Sequence, residues 1–379
     1  MHIQFNASER SSLGVEMELE IVDTTTRELY SAASELLAGM GQGHPGGEHP
    51  KAKHELFEST VEIITGVCTT VAEARADLEA TLTELAGHAQ PRGLALMCSG
   101  SHPFTHWSTQ EVSPNPRYHQ LVGEMQWLAR RLQIFGIHVH VGVRSAEKAI
   151  AIANGLLAYL PHLLALSASS PYWMGQDTGL ASCRSKVFEG LPMAGLPDQL
   201  ADWGEFEELM TTLQRAKAIA SIREVWWDIR PHPDFGTVEL RVCDGLPRMS
   251  EVAGVAALTQ CLVDSMDARY DQGLDLAVPR AWVIRENKWK AARYGMEADI
   301  IVDEHGTLRP LRSEVAALVD ELAPVARRLG CADELGQTLA MTRNVPSYAR
   351  QRELVARGGS LVDVVDALVE ELRTDQPVG

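Results

Sequence analysis

Apolar and polar residues alternate strictly from Leu13 to Val22, with Val15, Met17, Leu19 and Ile21 on one side of an extended chain and Glu16, Glu18 and Glu20 on the other. The pattern predicts a half-buried strand carrying three carboxylates roughly 7 Å apart. Taken alone, such a face is more commonly solvated than functional, so the question is whether other strands bring matching groups to it. His54 to Ile64 reads best as a second strand, with Glu58, Thr60 and Glu62 on one face; a helix there would place like charges four residues apart. Leu94 to Ser99 is a short buried strand. Ile137 to Val143 alternates again, with His138 and His140 together. Val225 to Arg230 and Thr237 to Asp244 form a hairpin about the Pro/Gly-rich turn at 231–236. Its alternation pairs Asp228 with Arg230 and Glu239 with Arg241.

Between these six strands the periodicity is helical: 32–40, 71–88, 118–135, 146–167 and 206–222. From Glu251 onward the chain reads as wholly helical, including Ala281–Tyr294, Leu311–Leu329 and 361–372. Residues 169–192 lack periodicity and hold Gly175, Gly179 and Arg184. A segment of that kind is expected to be a mobile loop that closes over a site. No internal repeat occurs, and the chain is read as one catalytic domain, 1–379, with a sheet core over 1–247 and a helical part over 248–379.

The chain has 379 residues, 45% of them hydrophobic, which is ample for one large core or two ordinary ones. A formal charge of −17 argues against nucleic acid or an anionic membrane surface as partner. The six cysteines are scattered without a C-x-x-C pair and read as small apolar residues in a reducing cytosol. The first residues show no signal-peptide pattern and no apolar run reaches membrane length, so a cytoplasmic location is expected.

If the acidic faces converge, two carboxylates at 4 Å repel by about 4 kcal/mol at an effective dielectric near 20, and several pairs would rival a domain's stability. Such a face needs cations. Oxygen-rich ligation with one histidine suits Mg²⁺ or Mn²⁺ better than Zn²⁺, and divalent ions beside arginines suit phosphoryl transfer. The H-x-H spacing also allows a metal-dependent hydrolase or amidase built on His138 and His140, and a non-catalytic nucleotide- or metal-binding protein remains a third reading. Phosphate-loop, dinucleotide and serine-hydrolase motifs are absent from the sequence.

The segments Gly14-Val15-Glu16-Met17-Glu18, His54-Glu55 through Glu62, Gly100-Ser101-His102-Pro103-Phe104, His138-Val139-His140-Val141-Gly142, Ser169-Ser170-Pro171-Tyr172, Trp227 to Pro231, Phe235 to Arg241, and Glu286-Asn287-Lys288-Trp289 through Gly295 occur in order. Together they resemble the type 2 glutamate-cysteine ligase-like carboxylate-amine ligases, over about residues 11–372. The resemblance implies an α+β fold like the catalytic half of glutamine synthetase: a curved, mainly antiparallel sheet, here of six strands, with helices on its outer face. It implies ATP and Mg²⁺ (or Mn²⁺), and ligation of a carboxylate, such as glutamate, to an amine, such as cysteine, through an acyl phosphate. Carried over by position, Glu16, Glu18, Glu58, Glu239 and His138 or His140 look like the metal shell, with Glu62 outside it. His138 is assigned to metal and His140 to nucleotide or substrate. Glu239 and Arg241 look catalytic, with Arg241 meeting the transferred phosphoryl group, and Arg230 and Arg184 look like binders of substrate or ATP. The oligomeric state stays open, a homodimer included.

Overall fold

A computed structural model describes residues 2–9 and 11–378. Its main sheet has seven strands: β1 Leu13–Asp23, β2 Ala52–His54, β3 Thr60–Ile64, β4 Leu94–Met97, β5 Ile137–Gly142, β6 Ile229–His232 and β7 Thr237–Leu240. The order is β6-β7-β5-β1-β3-β2, and β4 pairs with β1; every pairing is antiparallel. β1 is the hub. One of its edges meets β3 over Glu16–Glu20, while the other meets β5 over Leu13–Met17 and then β4 over Glu20–Asp23.

The alternation in β1 explains its central place. Val15, Met17, Leu19 and Ile21 are at most 2% exposed and pack against the helices Val71–Ala89 and Met249–Asp271. Burying four such side chains contributes roughly 6–12 kcal/mol, enough to hold an acidic face that repels itself by several. A capping box at Thr70 and Glu73 starts the first of these helices. A single apolar cluster runs from Leu13 through Leu311 to Leu372, so sheet and C-terminal helices share one core.

Several sequence expectations are corrected. The expected sheet had six strands, but residues 54–64 are not one strand: the chain leaves the sheet at 55–59, and Ala52–His54 adds a seventh strand beyond β3. The helix expected over 118–135 stops at Met125, where Gln126 takes φ 49°, resumes for one turn at Trp127–Arg130, and is finished before β5. The apolar run 146–167 is two helices bent by 65°, because Pro161 lacks the N–H an unbroken helix would use. Among the described residues no single helix is long and apolar enough to cross a membrane. The C-terminal part is not wholly helical: Asp299–Ile301 and Leu308–Pro310 pair as a small hairpin, where β-branched Ile300, Ile301 and Val302 precede a Gly306 turn.

Candidate active site

Strand register brings the polar residues together, since directly opposed residues of antiparallel strands share a face. Arg230 stands opposite Glu239, and Glu239 opposite His140. Two residues along, His138 stands opposite Glu16. Two further, Glu18 stands opposite Glu62, and Glu62 opposite Lys53. Glu16, Glu18, Glu62, His138, Arg230 and Arg241 line a cavity of about 400 Å³, walled by Tyr118, Arg184, Trp226 and Phe235.

The arginine end is tightly paired. Arg230 Nε donates to Glu239 Oε2 at 2.6 Å, and Arg241 Nη1 donates to Glu239 Oε1. Burial opposes ionisation of Glu239, but the charges of Arg241 and Arg230 outweigh it and hold the carboxyl well below its usual range. Arg241 Nε is buried without a hydrogen-bond partner, and His140 Nε2 lies 3.8 Å from Glu239 Oε1.

Glu16 bridges the two histidines, with Oε2 at 2.9 Å from His138 Nδ1 and Oε1 at 3.3 Å from His140 Nε2. Burial raises its pKa, yet these two contacts lower it well below the carboxylate norm. His138 is pushed down by burial and by Arg241, whereas His140 ends up raised because Glu239 and Glu16 overcome its burial.

The far end is predominantly acidic, with Lys53 opposite Glu62. Glu18, Glu55 and Glu62 bring one oxygen each within 4.8 Å of the others. Burial, then the Glu18 charge, lifts Glu55 to about 8, and burial with Glu16, Glu55 and Glu18 raises Glu62 well above its usual value. Carboxyls held above their ordinary range by one another and by burial are what a cation site looks like without its cation's charge. Two further donor groups, Glu16, Glu62 with His138 and Glu16, Glu239 with His140, adjoin it. The donor set therefore fits hard divalent ions.

The structure thus brings together Glu16, Glu18, Glu62, His138, His140, Arg230, Glu239 and Arg241. It does not bring Glu58. That carboxylate points away and caps the helix Ala33–Met40, accepting from Ser34 N at 3.0 Å and Ser34 Oγ at 2.8 Å. The reason is the excursion at 55–59, which breaks the period-two count from Glu62. Glu55 takes the place, continuing the face that Lys53 begins on β2. The His-Glu dipeptide at 54–55 was the available signal. Glu20 is also off the site: it is fully buried, and burial lifts its pKa to about 8 although Ser99 donates to it through both N and Oγ. Asp228 is taken by Lys288, whose Nζ lies 2.5 Å from Oδ2 and 2.6 Å from Glu189 Oε1.

Arg184 lines the cavity, but its segment is not the loose loop expected. Asp244 is fully buried and accepts from Ser170 Oγ at 2.6 Å, Ser182 Oγ at 2.8 Å and Ser169 N at 3.1 Å, clamping both ends of the excursion. Tyr172–Trp173 pairs with Gln176–Asp177, and Cys183–Phe188 is helical. Arg184 lies over Gly136, where any Cβ would strike its Nη2, and donates to the carbonyls of Val242 and Arg241, each at 3.3 Å.

A cavity floored by carboxylates and walled by arginines, on an antiparallel sheet backed by helices, is a donor set suited to divalent ions and anionic groups. Comparison narrows the class: a family model described as glutamate-cysteine ligase family 2 matches residues 12–370, and the chain belongs to that family of ATP-dependent ligases. A relative from Frankia casuarinae, provisionally named glutamate–cysteine ligase 2-1, is 57% identical over 379 residues, covering 100% of this chain and 99% of its own. One from Thermobifida fusca, provisionally named glutamate–cysteine ligase 2, is 51% identical, covering 100% of this chain and 94% of its own. Among solved structures, the glutamate–cysteine ligase of Francisella tularensis in complex with AMP superposes with a TM-score of 0.69 at 14% identity, covering 98% of this chain and 90% of that one. A bifunctional glutathione synthetase from Pasteurella multocida gives 0.67 at 13% identity, over 97% of this chain and 52% of that one. At such identities the likeness is one of fold, and it bears out the α+β class with an antiparallel sheet and helices outside.

Proposed function

We propose that this enzyme joins the side-chain carboxylate of glutamate to the amine of cysteine at the expense of ATP, through an acyl phosphate, releasing ADP and phosphate. The observation that carries the reading is the polarity of the cavity, with acids at one end and Arg230, Arg241 and Arg184 at the other, all within one 400 Å³ space. Glu16, Glu18, Glu55, Glu62, His138 and Glu239 would hold Mg²⁺ or Mn²⁺, which when bound neutralises charge on the nucleotide phosphates. Arg241 reaches the cavity with Nε still free to donate, as a group meeting a transferred phosphoryl would need. Arg230 and Arg184 bind and orient anionic parts of the reactants.

A screen of amino-acid pairs for ADP release, with mass spectrometry of the product, tests this. Glutamate with cysteine should give a dipeptide one water lighter than the pair. ADP release with another pair would keep the ligase and change the substrates. Turnover without ATP would instead favour a hydrolase built on His138 and His140.

A further inference from the structure

On the far side of the sheet from the cavity, the Gly/His/Pro-rich loop 41–50 folds against the helix Val71–Ala89. Gly46 and Gly47 both take φ 75°, and Gly41 approaches the Gly47 carbonyl so closely that any Cβ would collide with it. This tight turn serves one visible end: it brings His44 and His49 together with ring centroids 4.7 Å apart and planes at 81°, beside Glu84 of the helix. One donor atom from each of the three lies within 4.8 Å of the others. None of them lines the active-site cavity.

We propose that His44, His49 and Glu84 form a second metal site, a structural one for Zn²⁺ or a similar borderline ion, with water completing a tetrahedron. The distances favour ligation over a hydrogen bond. His49 Nε2 and Glu84 Oε2 are 3.5 Å apart, longer than an N–H···O bond of about 2.7–3.2 Å. Donors on a tetrahedral Zn²⁺ with bonds of about 2.0–2.1 Å stand about 3.3–3.4 Å from one another. Two imidazoles and one carboxylate select against Mg²⁺, so this site differs in kind from the acidic cluster across the sheet. Metal on Nε2 moves the ring proton of His49 to Nδ1, which now accepts from Lys51 N at 3.2 Å; loading therefore exchanges that contact for the metal bond. The loop runs directly into β2, which carries Lys53 and leads to Glu55 in the cavity.

The test uses the full chain, stripped with chelator, then saturated with Mg²⁺ and titrated with Zn²⁺ and with Co²⁺. Wild type should bind one Zn²⁺ equivalent that His44→Ala and Glu84→Gln each lack or bind at least ten-fold more weakly, with a rise in Tm on Zn²⁺ addition that both variants lose. Co²⁺ at this site should give the intense visible absorption of a tetrahedral centre. Both changes lie at the surface, and circular dichroism checks that the variants fold. Equal Zn²⁺ stoichiometry and equal Tm shifts in wild type and both variants would overturn the proposal, as would a pale, six-coordinate Co²⁺ spectrum. Neither result bears on whether the enzyme ligates glutamate to cysteine.

Discussion

Glu18 and Glu62 stand opposite one another on neighbouring strands, with Glu55 close enough to share a ligand with both. Among the described residues Lys53 stands opposite Glu62 at the sheet edge and the charge of Arg241 reaches Glu55, yet both carboxyls still sit above their usual pKa. The metal-free protein therefore works against its own acidic face, and its stability should depend on pH and on divalent ions.

The sign follows from the raised pKa values. Glu55 and Glu62 hold their protons more tightly folded than unfolded, so their contribution is whole below about pH 4 and lost as pH rises through about 8 for Glu55. In chelator, Tm should fall between pH 5 and pH 8.5, and Mg²⁺ should restore it. Glu62→Gln should raise the Tm in chelator while abolishing the Mg²⁺ effect and most ADP release. A flat chelator profile would mean that the cluster does not repel itself.

Glu58 offers the converse control. Because it caps the helix Ala33–Met40 through Ser34, Glu58→Ala should cost about 1 kcal/mol in denaturant unfolding. Its ADP release per folded molecule should stay within about two-fold of wild type. A loss approaching that of Glu62→Gln would return Glu58 to the metal shell.

Arg241→Lys separates chemistry from packing. Lysine cannot keep the planar contact with Glu239 and also present a donor to the cavity, so kcat should fall by about 10², roughly 2.7 kcal/mol of transition-state stabilisation, with KM for ATP little changed. Arg230→Lys should raise a KM and spare kcat. If Arg241 only neutralises Glu239, the melt will shift and turnover per folded molecule will not.

Asp244→Ala should cost about 3 kcal/mol, since it strips three buried donors of their acceptor. Hydrogen exchange in the native protein should be slow at 169–172 and 181–185 and fast only near the exposed turn around Gly175. In the variant, 181–185 should exchange quickly. Fast exchange across all of 169–192 in wild type would restore the loose loop that the sequence suggested.

How much was legible depends on where side-chain parity survives. In β1, β5 and β7 the alternation runs unbroken, and it placed Glu16, Glu18, His138, His140 and Glu239 on one face. Period two fails wherever the backbone steps out of a sheet, and residues 55–59 do so with no glycine or proline to announce it, which exchanged Glu55 for Glu58. Lys288 was out of reach for another reason: it meets Asp228 from a helix remote in sequence, and only the folded chain brings the two within 2.5 Å. The clamp on residues 169–182 depends likewise on Asp244, which local composition cannot connect to three distant serine and backbone groups.

The hub position of β1 bears on how the protein emerges from the ribosome. Its neighbours are made in the order β3, β4, β5, and the helix Leu361–Thr374, whose Val364, Val365 and Leu368 cover Val22 and Met97, is made later still. Until β5 is made, then, an amphipathic strand of eleven residues waits with one edge incompletely paired, and part of its oily face stays uncovered until the helix Met249–Asp271 follows. Sheets closed by such late pairings fold slowly and are exposed to aggregation meanwhile. The acids of β1 help here, because like charges on the nascent strand keep neighbouring copies from stacking edge to edge until the enzyme's own strands arrive.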